Sequence, residues 1–116
     1  MSVKDINVAD LKKLLQDRDK VEIIDVRQKE EYDIVRIKGS KLIPMEELPE
    51  RLDEIDWNKN VVFVCRSGSR SKMMAYIVGA GKEIKNLSYG IYECYMDKDC
   101  PDLDILSDEV EVYFNQ

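Results

Sequence analysis

Residues 60–64, Asn-Val-Val-Phe-Val, are the strongest strand signal in the chain. A strand with one wet face alternates apolar and polar residues. This run does not alternate after Asn60, so it predicts a central strand of a parallel sheet, covered on both faces. Parallel neighbours need a crossover connection, usually a helix. Residues 69–80 supply one, read as a helix closed by Gly81. Two further strands are predicted at residues 21–26 and 84–87, and a short one at Lys41-Leu42-Ile43, stopped by Pro44. Asn7 and Asp10 form a capping-box pair that opens a helix carrying Val8, Leu11, Leu14 and Leu15. Residues 28–33 predict a short helix or loop. Residues 45–56 predict a helix with Leu48, Leu52 and Ile55 on one face, in which Pro49 is awkward unless it lies in the first turn. Residues 90–95 start another helix. The whole is an α/β domain with a small, largely parallel sheet flanked by helices on both faces.

The 116 residues suit one domain. With 44% hydrophobic and 36% charged residues, the balance is that of a soluble globular chain. No apolar run approaches the roughly 20 residues that span a bilayer, and no secretory pattern opens the chain, so the expected location is cytoplasmic. The net charge of −6 is unevenly placed. Residues 1–96 hold 17 acids and 17 bases, whereas residues 97–116 hold seven acids and Lys98 alone. That shift divides the chain into a domain at 1–96 and an acidic extension at 97–116, expected to pack on the same domain. Within the extension, Leu103, Ile105 and Leu106 are expected to cover a core edge, and Val110 to Phe114 could form a strand. The balance argues against nucleic acid as a partner. Three cysteines (Cys65, Cys94, Cys100) form no evident disulfide framework, with Cys94 expected in the core and Cys100 in a solvated tail. With no histidine and no C-x2-C pair, neither a metal nor a cofactor is expected.

The chemistry concentrates in Cys65-Arg66-Ser67-Gly68-Ser69-Arg70-Ser71. Ligand sites of open α/β sheets lie beyond the carboxyl ends of the strands, and Cys65 follows the central strand directly. Amides of the loop, the N-terminal end of the following helix, and Arg66 and Arg70 all favour a thiolate there. A strand-end cysteine taken alone is more often a packed core residue. Two arginines and a Gly/Ser loop reverse that reading, because an inert buried cysteine has no need of cations.

The loop resembles the active-site loop of the rhodanese family, whose single-domain members carry a Cys-Arg-Ser-Gly-x-Arg-Ser string. The resemblance extends in order to Asp25-Val26-Arg27, Glu30-Glu31-Tyr32, Ile37-Lys38-Gly39-Ser40 with Leu42-Ile43-Pro44, and Asn86-Leu87 with Gly90-Ile91. It departs at Arg36, where the family has histidine, at Lys38, Ser40 and Tyr89, and at Cys94, where tryptophan is common. The resemblance implies a rhodanese-like fold and ping-pong sulfur transfer. In that reaction Cys65 becomes a persulfide by attack on a donor such as thiosulfate, then passes the sulfur to cyanide or a thiol. It implies Cys65 as nucleophile, Arg66 and Arg70 as anion stabilisers, and the amides of Ser67, Gly68, Ser69, Arg70 and Ser71 as a cradle. Arg27 and Glu31 are expected to form a supporting ion pair. The implied partners are small sulfur-containing anions and thiol acceptors, a protein acceptor among them, with no membrane. Rival readings are a persulfide carrier, a non-catalytic interaction module and a cysteine-dependent phosphatase. The last needs five residues between Cys and Arg, and here four separate Cys65 from Arg70.

Overall fold

In the computed structural model, residues 2–79, 81–98, 100 and 102–115 are described. Five parallel strands form one sheet. They are β1 (Ser2–Ile6), β2 (Val21–Asp25), β4 (Lys41–Leu42), β5 (Asn60–Val64) and β6 (Glu83–Leu87), in the order β1-β6-β5-β2-β4. Thus β5 is the middle strand, with Val62, Phe63 and Val64 fully buried. Its side chains alternate between two cores. Val62 and Val64 face one, with Leu11, Ile91, Val110, Tyr113 and Phe114. Val61, Phe63 and Cys65 face the other, with Leu48, Ile55, Met74 and Ala75. A residue in each register therefore meets a helical layer, and the absence of polar alternation in the run is explained.

Helices α1 (Val8–Leu14), α4 (Gly90–Met96) and α5 (Val110–Phe114) supply the first layer, and α3 (Ser69–Val78) lies on the second. The predicted capping box is present: the Asn7 side chain accepts from the Asp10 amide at 2.8 Å, and Asp10 returns the contact at 3.1 Å. Helix α3 is capped at Gly79, two residues short of the expected stop at Gly81; Ala80 lies outside the described residues. The short helix α2 (Lys29–Tyr32) occupies the charged stretch after β2.

Four expectations are corrected. Residues 45–56 form no continuous helix; two 3-10 turns, Leu48–Glu50 and Leu52–Glu54, are separated at Arg51. Pro49 lacks the N–H that an α-helix would use and fits only the start of a short turn. Residues 110–114 are the helix α5, not a strand, because Val110, Tyr113 and Phe114 are buried together at i, i+3 and i+4 spacing. Leu103 packs against the core, but Ile105 and Leu106 are exposed. Cys94 and Cys100 are joined in a disulfide, with Cα atoms 4.9 Å apart. Cys94 is buried as expected, but Cys100 also packs on that core, because the chain turns back after α4 with the Cys100 amide on the Asp97 carbonyl. Beyond the disulfide, β7 (Leu103–Ile105) pairs antiparallel with β3 (Val35–Ile37) in a separate two-stranded sheet. No helix among the described residues is long and apolar enough to cross a membrane.

Candidate active site

Cys65 follows β5 and α3 begins four residues later, so its sulfur lies between the carboxyl end of the central strand and the amino end of a ten-residue helix. The Gly68 amide donates to Sγ at 3.1 Å and the Ser71 amide at 3.4 Å. The Ser71 hydroxyl is 3.3 Å from Sγ, 3.2 Å from the Gly68 carbonyl and 2.5 Å from Asn86 Oδ1. A hydroxyl has one proton, and the short contact assigns it to Asn86. Two backbone amides therefore remain as the donors to the sulfur.

The loop is shaped from outside. Gly68 has φ +94°, and a Cβ there would collide with the Ser88 carbonyl. Gly90 has φ +66°, and a Cβ would lie 2.5 Å from the carbonyl oxygens of both Cys65 and Arg66. Only glycine combines that backbone angle with that approach. The approach lets the Ile91 amide donate to the Cys65 carbonyl and the Tyr92 amide to the Arg66 carbonyl, both at 2.9 Å. Buried Asn86 donates to the Gly68 carbonyl at 3.2 Å and to Asp5 at 3.1 Å. The carbonyls of 65, 66 and 68 thus face β6, α4 and α3, while the amides of 68 and 71 face the sulfur.

The predicted site residues separate into distinct positions. Cys65, Gly68 and Ser71 converge at the sulfur. The hydroxyls of Ser67 and Ser69 lie 3.3 Å apart on the exposed edge of the loop. Arg70 forms a bidentate pair with Glu31, both contacts at 2.8 Å. That carboxylate first, and the adjacent Cys65 sulfur more weakly, hold the Arg70 guanidinium above its ordinary pKa. Arg66 extends to α5, donating to the Tyr113 carbonyl at 3.3 Å and the Phe114 carbonyl at 3.0 Å. Cys65 itself is 1% exposed.

The expected Arg27–Glu31 ion pair is not formed. Arg27 pairs instead with Asp25, at 2.8 Å through Nη2, with both side chains fully buried. It also donates to the Val35 carbonyl and, at 3.3 Å, to the backbone carbonyl of Glu31. The Glu31 carboxylate turns to Arg70 because α2's own cap aims it there, with the Gln28 amide on Oε2 at 2.9 Å. Burial pushes that carboxyl up, but hydrogen bonds from Arg70, Gln28 and Tyr113 outweigh it and hold it at about 2. At the position where histidine was expected, Arg36 stacks on Tyr32, 4.3 Å from the ring centre. Glu31 as partner of Arg70, Asn86 as brace of the loop and Tyr113 as partner of Glu31 are roles that sequence reasoning missed. Asn86 beside a glycine-started helix was a faint signal; Tyr113, 82 residues from Glu31, had none. Among the described residues, no group of three or more acidic or cysteine side chains could hold a metal ion.

A family model described as "Rhodanese-like domain" matches residues 7–97. The chain is 34% identical over 92 residues to YtwF of Bacillus subtilis (strain 168), covering 78% of this chain and 89% of that one. It is likewise 34% identical over 91 residues to a protein of Allochromatium vinosum named "Sulfurtransferase", covering 77% and 85%. Among solved structures, a rhodanese-like domain protein from Staphylococcus aureus superposes with a TM-score of 0.73 at 32% identity, covering 90% of this chain and 99% of that one.

Proposed function

We propose that this chain, which belongs to the rhodanese-like domain family, transfers a sulfane sulfur through a persulfide on Cys65. Thiosulfate, a small anion with an electrophilic outer sulfur, is the proposed donor. The Cys65 thiolate attacks that sulfur, the S–S bond of thiosulfate breaks, and sulfite leaves with the electron pair. The new Cys65–S–S⁻ is then attacked at its outer sulfur by cyanide or a thiolate. Thiocyanate or a new persulfide departs and the thiolate is restored.

The observation that carries the reading is the pair of amides on Sγ at the mouth of the sheet. Amides fixed on the position where negative charge sits stabilise it without reorganising during reaction. Gly68 and Ser71 hold the sulfur, and Arg70, oriented by Glu31, adds positive charge beside it. Arg70 is assigned the anion-stabilising role ahead of Arg66, whose guanidinium is engaged by the α5 carbonyls.

The test is mass spectrometry after incubation with thiosulfate, followed by cyanide. The expected result is a gain of one sulfur atom that disappears on cyanide addition with release of thiocyanate, and is absent in Cys65→Ser. No gain with any sulfane donor would leave an interaction module, and hydrolysis of aryl phosphates would turn the reading to a phosphatase. A gain with slow turnover of thiosulfate would keep the persulfide and mark the chain as a carrier for another enzyme.

A further inference from the structure

The hydroxyl of Tyr113 stands between the side chains of two charged pairs, Asp25–Arg27 and Glu31–Arg70. It accepts from Arg27 Nη1 at 3.2 Å and donates to Glu31 Oε1 at 2.7 Å. Arg27 can only donate and an ionised Glu31 can only accept, so the phenolic proton lies on the Glu31 side. We propose that Tyr113 is a positioning residue for the Cys65 site, acting through Glu31 to fix the Arg70 guanidinium. This rests on the reading of Cys65 as the site of sulfur transfer and extends that site into residues beyond the matched 7–97.

The geometry leaves little freedom in the carboxylate while the hydroxyl is present. Glu31 Oε2 accepts from the Gln28 amide and Arg70 Nη1, and Oε1 from Tyr113 and Arg70 Nη2. Three elements, the α2 cap, α3 and α5, thus define one carboxylate plane. Among the described residues, that carboxylate is the hydrogen-bond partner of the Arg70 guanidinium, whose side chain is 32% exposed, so water competes for it. The phenol is in turn well anchored. Tyr113 and Phe114 are both 5% exposed, Phe114 stacks on Tyr95 at 4.6 Å, and the two carbonyls at this end of α5 accept from Arg66. Burial, against the pull of Arg27, pushes the Tyr113 hydroxyl up to about 12, so it remains a donor across the working range. Phenylalanine would keep the packing, strip Oε1 of one donor and leave Arg27 Nη1 with the 3.3 Å contact to the Glu31 carbonyl.

The test compares alkylation of Cys65 by iodoacetate and by iodoacetamide, followed by peptide mass spectrometry on the full chain. Both reagents meet the same access barrier, so their rate ratio isolates the positive charge beside the sulfur. Tyr113→Phe is expected to lower the iodoacetate-to-iodoacetamide ratio about five-fold; in an Arg70→Ala background, where no guanidinium remains to be positioned, the same substitution leaves the ratio unchanged. A purely structural tyrosine would change thermal stability and leave the ratio intact. An unchanged or raised ratio in Tyr113→Phe, or losses that multiply in the double variant, would overturn the assignment. Should Tyr113→Phe not fold, Tyr113→Leu is measured in its place: a retained ratio overturns the assignment and a lowered ratio supports it. Loading by thiosulfate is scored separately, so a wild-type protein that accepts no sulfur sinks the proposed reaction and leaves the alkylation result readable.

Discussion

Two arginine–carboxylate pairs lie on either side of Tyr113, and their settings differ. Asp25 and Arg27 are both fully buried. Glu31 and Arg70 are 18% and 32% exposed. The first pair has no water to fall back on, so every polar atom must find a protein partner; Arg27 reaches Asp25, the Glu31 and Val35 carbonyls and the Tyr113 hydroxyl. A buried pair of this kind adds little net stability over an apolar replacement of both partners, but removing one partner is costly. The second pair is part-exposed beside Cys65, with the Arg70 guanidinium held by Glu31. Burial thus makes one pair scaffold and leaves the other within reach of the proposed reaction, though both pair an arginine with a carboxylate.

The sharpest way to break the contrast is Arg27→Met. It strands the Asp25 carboxylate in the core and is expected to cost about 3–5 kcal/mol of folding stability, measured by denaturant unfolding with Cys65 chemistry followed on whatever remains folded. Arg70→Ala should do the reverse. Its stability cost is small, but kcat/KM for thiosulfate should fall about 100-fold, equivalent to about 2.7 kcal/mol of lost transition-state stabilisation. An Arg70→Ala protein that loses stability yet keeps its activity per folded molecule would erase the distinction. Acid gives the smallest effect. The Glu31 carboxyl is held at about 2, below its ordinary 4.5, so its contribution is complete above the unfolded value and is lost as pH falls toward 2. Unfolding midpoints followed from pH 6 to pH 2 should show a loss on the order of 2 kcal/mol that Glu31→Gln lacks.

The same contrast marks what the sequence could disclose. The central strand, the helix after it and the capping box at Asn7 are local patterns, and each is present in the structure. The edge strand β1 was invisible because Ser-Val-Lys-Asp-Ile buries only Ile6 fully, and β3 because three residues around Arg36 carry too little period to count. Val110-Glu111-Val112-Tyr113-Phe114 fits a strand by alternation and a helix by its buried residues, and only packing against Ile91 and Cys94 decides. The sulfur and its loop could be located from one contiguous string. The partner of each arginine could not, because charge choice depends on burial and on which cap aims a carboxylate, and neither is written in spacing. The extension at 97–116 was expected to pack on the same domain, but the charge pattern carries no signal for how it does so, with β7 on β3 and α5 on the core.

The peptide planes around Cys65 have a consequence of their own. Oxygen atoms at 65, 66 and 68 are all spent on α4, α3 and Asn86, while nitrogen atoms at 68 and 71 converge on one point. The preference for negative over positive guests is therefore woven into main-chain orientation. Exchanging side chains along the loop can change which anion is preferred, but conversion to a cation receptor would require turning the peptides over, which the two glycine turns forbid.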